Sequence, residues 1–491
     1  MTQETGKART REGRFEAYVA SVVDALGHAD RAGPFRAYCS GLLLPTERKS
    51  VEPMAAAVDP GHAQARHQSM HHFVANAPWS DDAVLQASYR WAVEPLLKHG
   101  GIGAWVVDDT GMPKKGKKSV GVARQYCGAT GKQDNCQVVV SLSVVNEAGS
   151  LPMAYRLYLP EKWANDPARR TEVGVPKEIR FQKKWEIALG HIDEMIAQNV
   201  PRAPVVADAG YGNPVEFRDA LTARHLPYVV GIQSNTTVWP PGQGPLPPAK
   251  YRGTGRVPKR LRRGAGHRPS TVLQLAQALP RSSFRSVTWR EGTSGKMRSR
   301  FAAVRVRPAH QDDRRTDPRP EEWLLIEWPS GEKEPTRYWF STLRPNTSSR
   351  QLVRIAKIRW RVERDYQELK DELGLDHYEG RNWRGFHHHG SLCIAAYAFL
   401  MAERLRFSPR YPRRLRTFIQ ATPLPEDYRP RGSPARPTAP ADIDRHDPPS
   451  SCRRARPCTA LLPALRPGAT PAATDAPRET PDAEVDDHVY Y

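Results

Sequence analysis

The chain has 491 residues, more than one compact core holds, so about two to four domains are expected. Lys and Arg number 74 against 53 Asp and Glu, and the formal charge of +21 favours a polyanion, most often nucleic acid, as partner. No stretch reaches the ~20 apolar residues of a membrane span, the first residues lack a signal-peptide core, and the six cysteines include no C-x-x-C pair. The composition therefore predicts a cytoplasmic, nucleoid-associated protein without a disulfide framework or a structural zinc site.

Residues 1–98 predict a helical N-terminal domain. Apolar side chains recur at helical spacing around Phe15, Tyr38 and Phe73, and Ser80 precedes two acids in a helix-start signal. Basic residues and histidines are interleaved with these apolar positions. The pattern indicates a DNA-binding domain, although no helix-turn-helix spacing identifies a recognition helix.

Residues 101–111 predict a buried strand that stops at Asp108 and Asp109. Two further β-rich runs, 137–145 and 151–159, are joined by a hairpin signal that contains glycine. The three strands together predict an antiparallel meander.

The next elements alternate between helix and strand. A helix is predicted over residues 178–198, and a short strand ending at Asp208 follows it. Residues 213–216 predict a capping box that opens another helix, and residues 226–231 predict the next strand. This order is that of an α/β, ribonuclease-H-like core, a mixed sheet with helices, which we assign to residues 99–233 and 336–405.

Residues 234–335 predict a β-rich basic insertion into that core. A proline-rich run opens it, and strand-like runs follow at residues 284–289, 299–307 and 322–328. Between the two parts lies a segment with several basic residues and no acid, which contains Arg260, Arg262 and Arg263. The tail, residues 406–491, is rich in Pro, Arg and Ala and predicts disorder.

A helix around Glu363 closes the predicted core. Its apolar residues recur at steps of three and four, and Arg359, Glu363 and Lys370 fall within roughly 40° of one another at the edge of that apolar stripe. Asn346, Thr347 and Ser348 are candidate N-caps. On the helix alone, ordinary ion pairs on a solvated face are the simpler interpretation.

Two acids at strand ends change that interpretation. In the predicted fold Asp109 and Asp208 end neighbouring strands, and Glu363 comes in from a helix laid across the sheet. Three carboxylates in one place repel one another unless cations neutralise them, and hard oxygen ligands suit Mg²⁺ or Mn²⁺. Successive strand residues face opposite sides, so geometry alone does not choose between Asp108 and Asp109.

Several blocks of sequence resemble the DDE transposases of bacterial insertion sequences. Asp109-Thr110, the strand ending at Asp208, and the spacing of Arg359, Glu363 and Lys370 resemble the three signature blocks of these enzymes. Further blocks at residues 108–116, 122–126, 157–160 and 374–381 are similar to the insertion sequence 701 family, and the similarity spans roughly residues 35–405. One departure is Ala356, which stands where the signature has tyrosine.

The resemblance implies a function and a set of roles. Asp109, Asp208 and Glu363 would be catalytic and would bind two Mg²⁺ or Mn²⁺ ions. The chain would cleave the ends of an insertion sequence and join them to target DNA, with hairpin ends possible, and would act as a homodimer on the terminal inverted repeats. The DNA-binding candidates are basic residues beside the presumed site or in the insertion: Arg359, Lys370, Lys114, Lys115, Arg260, Arg262 and Arg263.

Two other functions remain open from the sequence. One is a ribonuclease-H-like structure-specific nuclease that joins no strands, and the other is an inactive, domesticated DNA-binding protein. The presence of all three acids argues against the second. For the adjacent His387, His388 and His389, packing is favoured over a metal cluster, because successive helix residues point in different directions.

We expect the affinity of the chain for double-stranded DNA to fall steeply as salt rises. Each phosphate that a basic side chain neutralises releases counterions, and the logarithm of the binding constant then falls by about 0.9 per contact for each tenfold rise in salt. Fluorescence anisotropy with a labelled duplex between about 50 and 200 mM salt measures this slope. An affinity that stays flat over that range would contradict a DNA-binding role for the basic surface.

Overall fold

Helices come before the first strand in the computed structural model, which describes residues 10–292 and 295–407. The predicted start signal at Ser80 is confirmed, because its hydroxyl accepts a hydrogen bond from the Ala83 amide at 3.2 Å. The helices before the first strand are α1 (Arg11–Val23), α2 (Ala32–Leu43), α3 (Val51–Val58), α4 (Ala63–Ala75) and α5 (Asp81–Lys98).

A mixed sheet follows, and its first six strands form the predicted ribonuclease-H-like core. β3 lies antiparallel between β1 and β4, while β5 runs parallel to β1 and β6 runs parallel to β5. β2 forms a hairpin with the start of β3 and was not predicted. These strands are β1 (Ala104–Pro113), β2 (Ala123–Cys127), β3 (Lys132–Val145), β4 (Ser150–Leu157), β5 (Val205–Ala207) and β6 (Tyr228–Ile232).

The predicted end of the first strand is wrong. β1 continues past Asp108 and Asp109, because β3 pairs with it as far as Pro113. β5 pairs only with Trp105 and Val106 of β1. The two acids therefore lie just beyond the end of the parallel pairing, inside a longer strand that β3 supports.

The helices between these strands differ from the prediction in two places. α8 begins six residues later than expected, where the Glu186 carboxylate accepts from the Lys183 amide at 2.7 Å. The capping box at residues 213–216 is wrong, because the Asn213 side chain accepts from the Gln233 amide at 2.9 Å instead and Pro214 is the N-cap. These helices are α6 (Glu161–Ala164), α7 (Pro167–Glu172), α8 (Lys184–Ala197), α9 (Ala209–Gly212) and α10 (Val215–Ala223).

Residues 337–341, which the sequence assigns to the core, join the sheet as β12, and strands of the predicted insertion continue the sheet from there. β12 pairs antiparallel with β6, and β11 and β10 follow outward in the same sheet. β9 pairs with the first half of β10, and β7 with its end. These elements are β7 (Thr237–Trp239), β8 (Ser270–Thr271), α11 (Val272–Ala278), β9 (Arg285–Gly292), β10 (Gly295–Pro308), β11 (Glu322–Glu327) and β12 (Arg337–Ser341).

The helix predicted around Glu363 is interrupted. α12 (Ser349–Ala356) ends before a turn at residues 357–359, and α13 (Trp360–Asp371) begins after it. The predicted N-cap Ser348 is confirmed, because its hydroxyl accepts from the Gln351 amide. The periodicity of the apolar residues continues through the turn and so could not reveal the break.

The last described helix, α14 (Trp383–Phe407), is buried against the N-terminal helices. The Tyr18 hydroxyl donates to the Ala395 carbonyl at 2.8 Å, and the Arg14 guanidinium pairs with Glu403 at 2.6 Å. Along the described part of the chain, no helix is both long enough and apolar enough to cross a membrane. The predicted disordered tail lies outside the described residues, apart from its first two.

The three adjacent histidines of α14 pack inside the protein. Tyr38 hydrogen-bonds to Nδ1 of His389 at 2.9 Å, and the Leu157 amide donates to Nε2 of His387 at 3.2 Å. Burial lowers the pKa of each of the three rings to about 4. The rings are therefore neutral near pH 7, in agreement with the packing role expected from the sequence.

We predict that Gly212→Ala strongly destabilises the fold. A Cβ atom at Gly212 would lie 1.9 Å from the Gly231 carbonyl oxygen, so α9 would have to move away from β6. Overpacking of this kind costs about 3 kcal/mol or more when the neighbour is backbone. The matched control is Gly190→Ala in α8, where a Cβ atom would have no neighbour within 4 Å. Because alanine favours the helix, this change should raise the free energy of unfolding by about 1 kcal/mol. Urea unfolding of both variants checks this, and similar changes in the two would contradict the close approach.

Candidate active site

Asp108 and Asp109 point to opposite sides of the sheet, as successive residues of a strand do. Asp108 faces α13. Nη1 of Arg359 donates to Oδ1 of Asp108 at 2.8 Å. Nη2 of the same guanidinium lies 2.7 Å from Oε1 of Glu363, one helical turn later. Arg359 therefore bridges a carboxylate from the sheet and a carboxylate from the helix.

Asp109 faces the other way, toward α8. Nζ of Lys184, at the start of α8, lies 2.7 Å from Oδ2 of Asp109. The Tyr211 hydroxyl, from α9, donates to the other carboxylate oxygen. The sequence analysis missed both partners, because neither lies near Asp109 in the chain and neither belongs to a recognisable spacing.

Asp208 is placed by the end of β5 and the start of α9. It is the N-cap of that short helix, and its carboxylate accepts from the Gly210 amide at 2.9 Å. Its charge raises the pKa of Asp108 and of Asp109, so all three acids lie within electrostatic reach of one another. Asp208 is thus near both Asp108 and Asp109, although these two acids face opposite sides of β1.

Burial dominates the electrostatics of this site. It raises the pKa of Asp108 to about 7, with Arg359 opposing the rise and the charges of Glu363 and Asp208 adding to it. Burial also raises the pKa of Asp109, and the ammonium of Lys184 counteracts that rise. The clustered acids therefore require positive charge to stay ionised together near pH 7.

The arrangement differs from the sequence expectation in one respect. Asp109, Asp208 and Glu363 were expected to converge, but it is Asp108 that shares a cation with Glu363. Within residues 10–292 and 295–407, no three His, Cys, Asp or Glu side chains stand close enough to hold a metal ion. In this structure Arg359 and Lys184 supply the positive charge that the carboxylates require.

Several of the basic residues proposed from the sequence to bind DNA serve as internal anchors. Nζ of Lys114 donates to the carbonyls of Asp376 and Tyr378, at 3.2 and 3.0 Å. The Arg263 guanidinium lies 2.6 Å from a carboxylate oxygen of the buried Asp312. These internal contacts could not be predicted from composition, because the sequence of a basic segment does not indicate which group each basic side chain contacts.

The other proposed DNA-binding residues lie in the site or at the surface. Nζ of Lys370 donates to the carbonyl of Gly111 at 2.8 Å, and so the lysine lies beside β1 just past the two acids. Three further residues are exposed, namely Lys115, Arg260 and Arg262. The exposed residues are free to meet a polyanion without losing a buried contact.

The donor chemistry of the site fits a hard divalent cation. Asp108, Asp109, Asp208 and Glu363 offer carboxylate oxygens, which Mg²⁺ and Mn²⁺ prefer. Burial raises the pKa of both Asp108 and Asp109, and the charge of Asp208 raises each further, so their ionised forms are unfavourable without a counter-ion. These four residues offer the oxygen donors that a cation could use, although within the described residues no three of them are close enough to share one ion.

We predict that Asp108→Asn stabilises the protein more at about pH 8 than at about pH 5, in chelator-containing buffer. Because the pKa of Asp108 is raised in the fold, its contribution to stability is full below the unfolded value near 4 and is lost as pH rises through about 7. Asparagine cannot ionise, so the free energy of unfolding at the higher pH should rise by about 1 to 3 kcal/mol.

The control for this change is Asp371→Asn, at the exposed end of α13. It should show no such dependence on pH in the same urea titrations. If Asp108→Asn were equally stabilising at both pH values, or destabilising at the higher one, the buried position of this carboxylate would be wrong.

Comparison with known proteins identifies the family of the chain. A family model described as DDE superfamily endonuclease matches residues 21–296, which include Asp108, Asp109 and Asp208 but end before Glu363. The protein named "Probable transposase for insertion sequence element IS701", from Microchaete diplosiphon, is 30% identical over 196 residues. The aligned part is 40% of this chain and 47% of the relative, so the chain spans about half the length of that protein. The resemblance drawn from the sequence is confirmed, and the chain belongs to the DDE superfamily endonuclease family.

Proposed function

We propose that this chain is an insertion-sequence transposase. It hydrolyses phosphodiester bonds at the ends of its element in a metal-dependent reaction and then joins the freed 3′-hydroxyl to target DNA. The observation that supports this most directly is the sharing of Arg359 by Asp108 and Glu363, which brings an acid of β1 and the acid of α13 to one guanidinium. Asp208 lies close enough to raise the pKa of Asp108.

Asp108, Asp208 and Glu363 would hold the divalent cation or cations. Mg²⁺ or Mn²⁺, as one ion or as a pair, would supply the charge that acidifies the attacking hydroxyl and stabilises the departing oxygen. The geometry supports Asp108 as the first ligand because it faces Glu363. Asp109 is the alternative that the sequence motif favours, and its contacts with Lys184 and Tyr211 suit a residue that positions β1 at the site.

Arg359 and Lys370 would bind the DNA phosphates beside the scissile bond. The planar guanidinium of Arg359 presents paired donors that match phosphate oxygens, and it already lies at the edge of the carboxylate cluster. Lys370 is about three turns further along, in α13 and near Gly111. Lys115, Arg260 and Arg262 would contact the backbone farther from the site, with no reading of base sequence.

The proposal extends to the other parts of the chain. Residues 11–98 would bind the terminal inverted repeats, and the insertion, 234–335, would take part in opening or hairpin formation at the cut end. The insertion supports this role because its strands continue the sheet that carries the site. A homodimer would hold the two ends of one element together before strand transfer.

We expect Asp108→Ala, Asp208→Ala and Glu363→Ala each to lower the rate of Mg²⁺-dependent strand cleavage by at least about 100-fold. DNA affinity at low salt should change little, because the basic surface is intact. Asp109→Ala should cost less than Asp108→Ala. The assay uses the element's own ends and scores nicking, hairpin formation and strand joining separately.

The same assay can refute the proposal. Wild-type cleavage rates in Asp208→Ala or Glu363→Ala would remove the site assignment. Cleavage without any joined product would leave a structure-specific nuclease in place of a transposase. A greater loss of cleavage rate in Asp109→Ala than in Asp108→Ala would assign the role of first catalytic acid to Asp109, as the sequence motif favours.

A further inference from the structure

A buried lysine lies in the turn that interrupts the helix before the site. Lys357 follows α12 directly, and its side chain is only 6% exposed. Its Nζ lies 2.7 Å from Oε2 of Glu327 in β11, whose side chain is also 6% exposed. A buried ion pair therefore joins the insertion to the turn two residues before Arg359.

Aromatic rings from three strands surround the same ammonium. Nζ of Lys357 lies 4.7 Å from the ring centroid of Trp289 in β9, 5.4 Å from that of Trp339 in β12 and 5.9 Å from that of Phe301 in β10. These distances are within the range of cation–π attraction. Each of the strands β9, β10, β11 and β12 thus contributes one contact to Lys357, and we call these four side chains the lysine cage.

A second contact joins β9 to the far side of the turn. The guanidinium of Arg290 lies 4.1 Å from the ring centroid of Trp360, the first residue of α13. The insertion therefore contacts the chain two residues before Arg359 and directly after it. Arg359 lies between these two contacts.

Stability alone does not explain the lysine cage. Removing two charges from water costs several kcal/mol, and a well-packed apolar pair is often at least as stable. What a buried ion pair adds is a single defined geometry, because any displacement leaves a charge unpaired. At this turn the defined geometry is that of Arg359 and Glu363.

We propose that the insertion positions the catalytic helix through Lys357, so that strands β9 to β11, together with β12 of the core, set where Arg359 and Glu363 stand relative to Asp108. This inference rests on the proposed function for its catalytic consequence. Lys357 is a positioning residue, because its partner is Glu327 and it is not proposed to contact the acids of the site or the DNA. Any movement of the insertion when DNA binds would be transmitted to Arg359.

The test compares the full-length protein with Lys357→Met, Lys357→Arg and the double variant Lys357→Met/Glu327→Gln. Lys357→Met should accelerate amide hydrogen exchange of residues 357–371 by about tenfold, while residues 11–98 exchange as before. Single-turnover cleavage should slow by about 10- to 100-fold with little change in DNA affinity. Lys357→Arg, which keeps the charge, should recover part of the rate.

The control is Arg224→Met, which also removes one charge of an ion pair, at a partly exposed arginine after α10 whose guanidinium lies 2.6 Å from a carboxylate oxygen of Asp193. It should alter neither exchange nor cleavage. The double variant removes both charges, so it should regain thermal stability relative to Lys357→Met but remain slow in cleavage. Recovery of both would assign a purely structural role to the pair and would overturn the proposal.

The exchange measurement uses neither DNA nor catalysis, so the two proposals can fail separately. If the wild-type protein cuts no DNA but Lys357→Met still accelerates exchange across residues 357–371, the proposed function fails and the positioning stands. If exchange in Lys357→Met matches that of the wild type, the positioning proposal is overturned whatever the cleavage rate.

Discussion

The structure depends on one guanidinium shared by a buried carboxylate and a partly buried one. Asp108 comes from the middle of a strand and Glu363 from a helix about 250 residues later, and Arg359 contacts both. Burial raises the pKa of Asp108, the charges of Glu363 and Asp208 raise it further, and Arg359 opposes the rise. The fold can therefore place these acids close together only where it also places positive charge.

The sheet and the insertion both contribute to that arrangement. β1 pairs with β3 as far as Pro113 but with β5 only at Trp105 and Val106. At Asp108 and Asp109, β1 therefore keeps its backbone pairing with β3 and has passed the end of its pairing with β5. On the α13 side, the lysine cage holds the turn that presents Arg359. The proposed chemistry thus uses residues from the core, while their relative positions depend in part on the inserted strands.

Local signals in the sequence predicted local structure well. The N-caps at Ser80 and Ser348 depend on residues three apart, so they were visible before any tertiary contact was known. The strand order of the core followed from alternation of helix and strand with buried β-branched runs. The capping box at Asn213 failed because a distant amide, that of Gln233, takes the same side-chain oxygen.

Tertiary partners account for what the sequence could not supply. The choice between Asp108 and Asp109 depends on which face of β1 meets α13, and the chain order contains no information on that. Lys184 and Tyr211 reach Asp109 from two separate helices, and Lys114 turns inward to two carbonyls although its neighbours are exposed. Each of these assignments depends on a tertiary partner, and neither the charge of a residue nor its spacing in the sequence identifies that partner.

The central claim is that Asp108 and Glu363 belong to one cation site. A double-mutant cycle of Mn²⁺ affinity, measured by electron paramagnetic resonance on the wild type, Asp108→Asn, Glu363→Gln and the double variant, tests it most directly. Shared coordination predicts strongly non-additive losses, with the double variant hardly weaker than either single one. Additive losses, or Mn²⁺ binding that survives Asp108→Asn unchanged, would contradict the account.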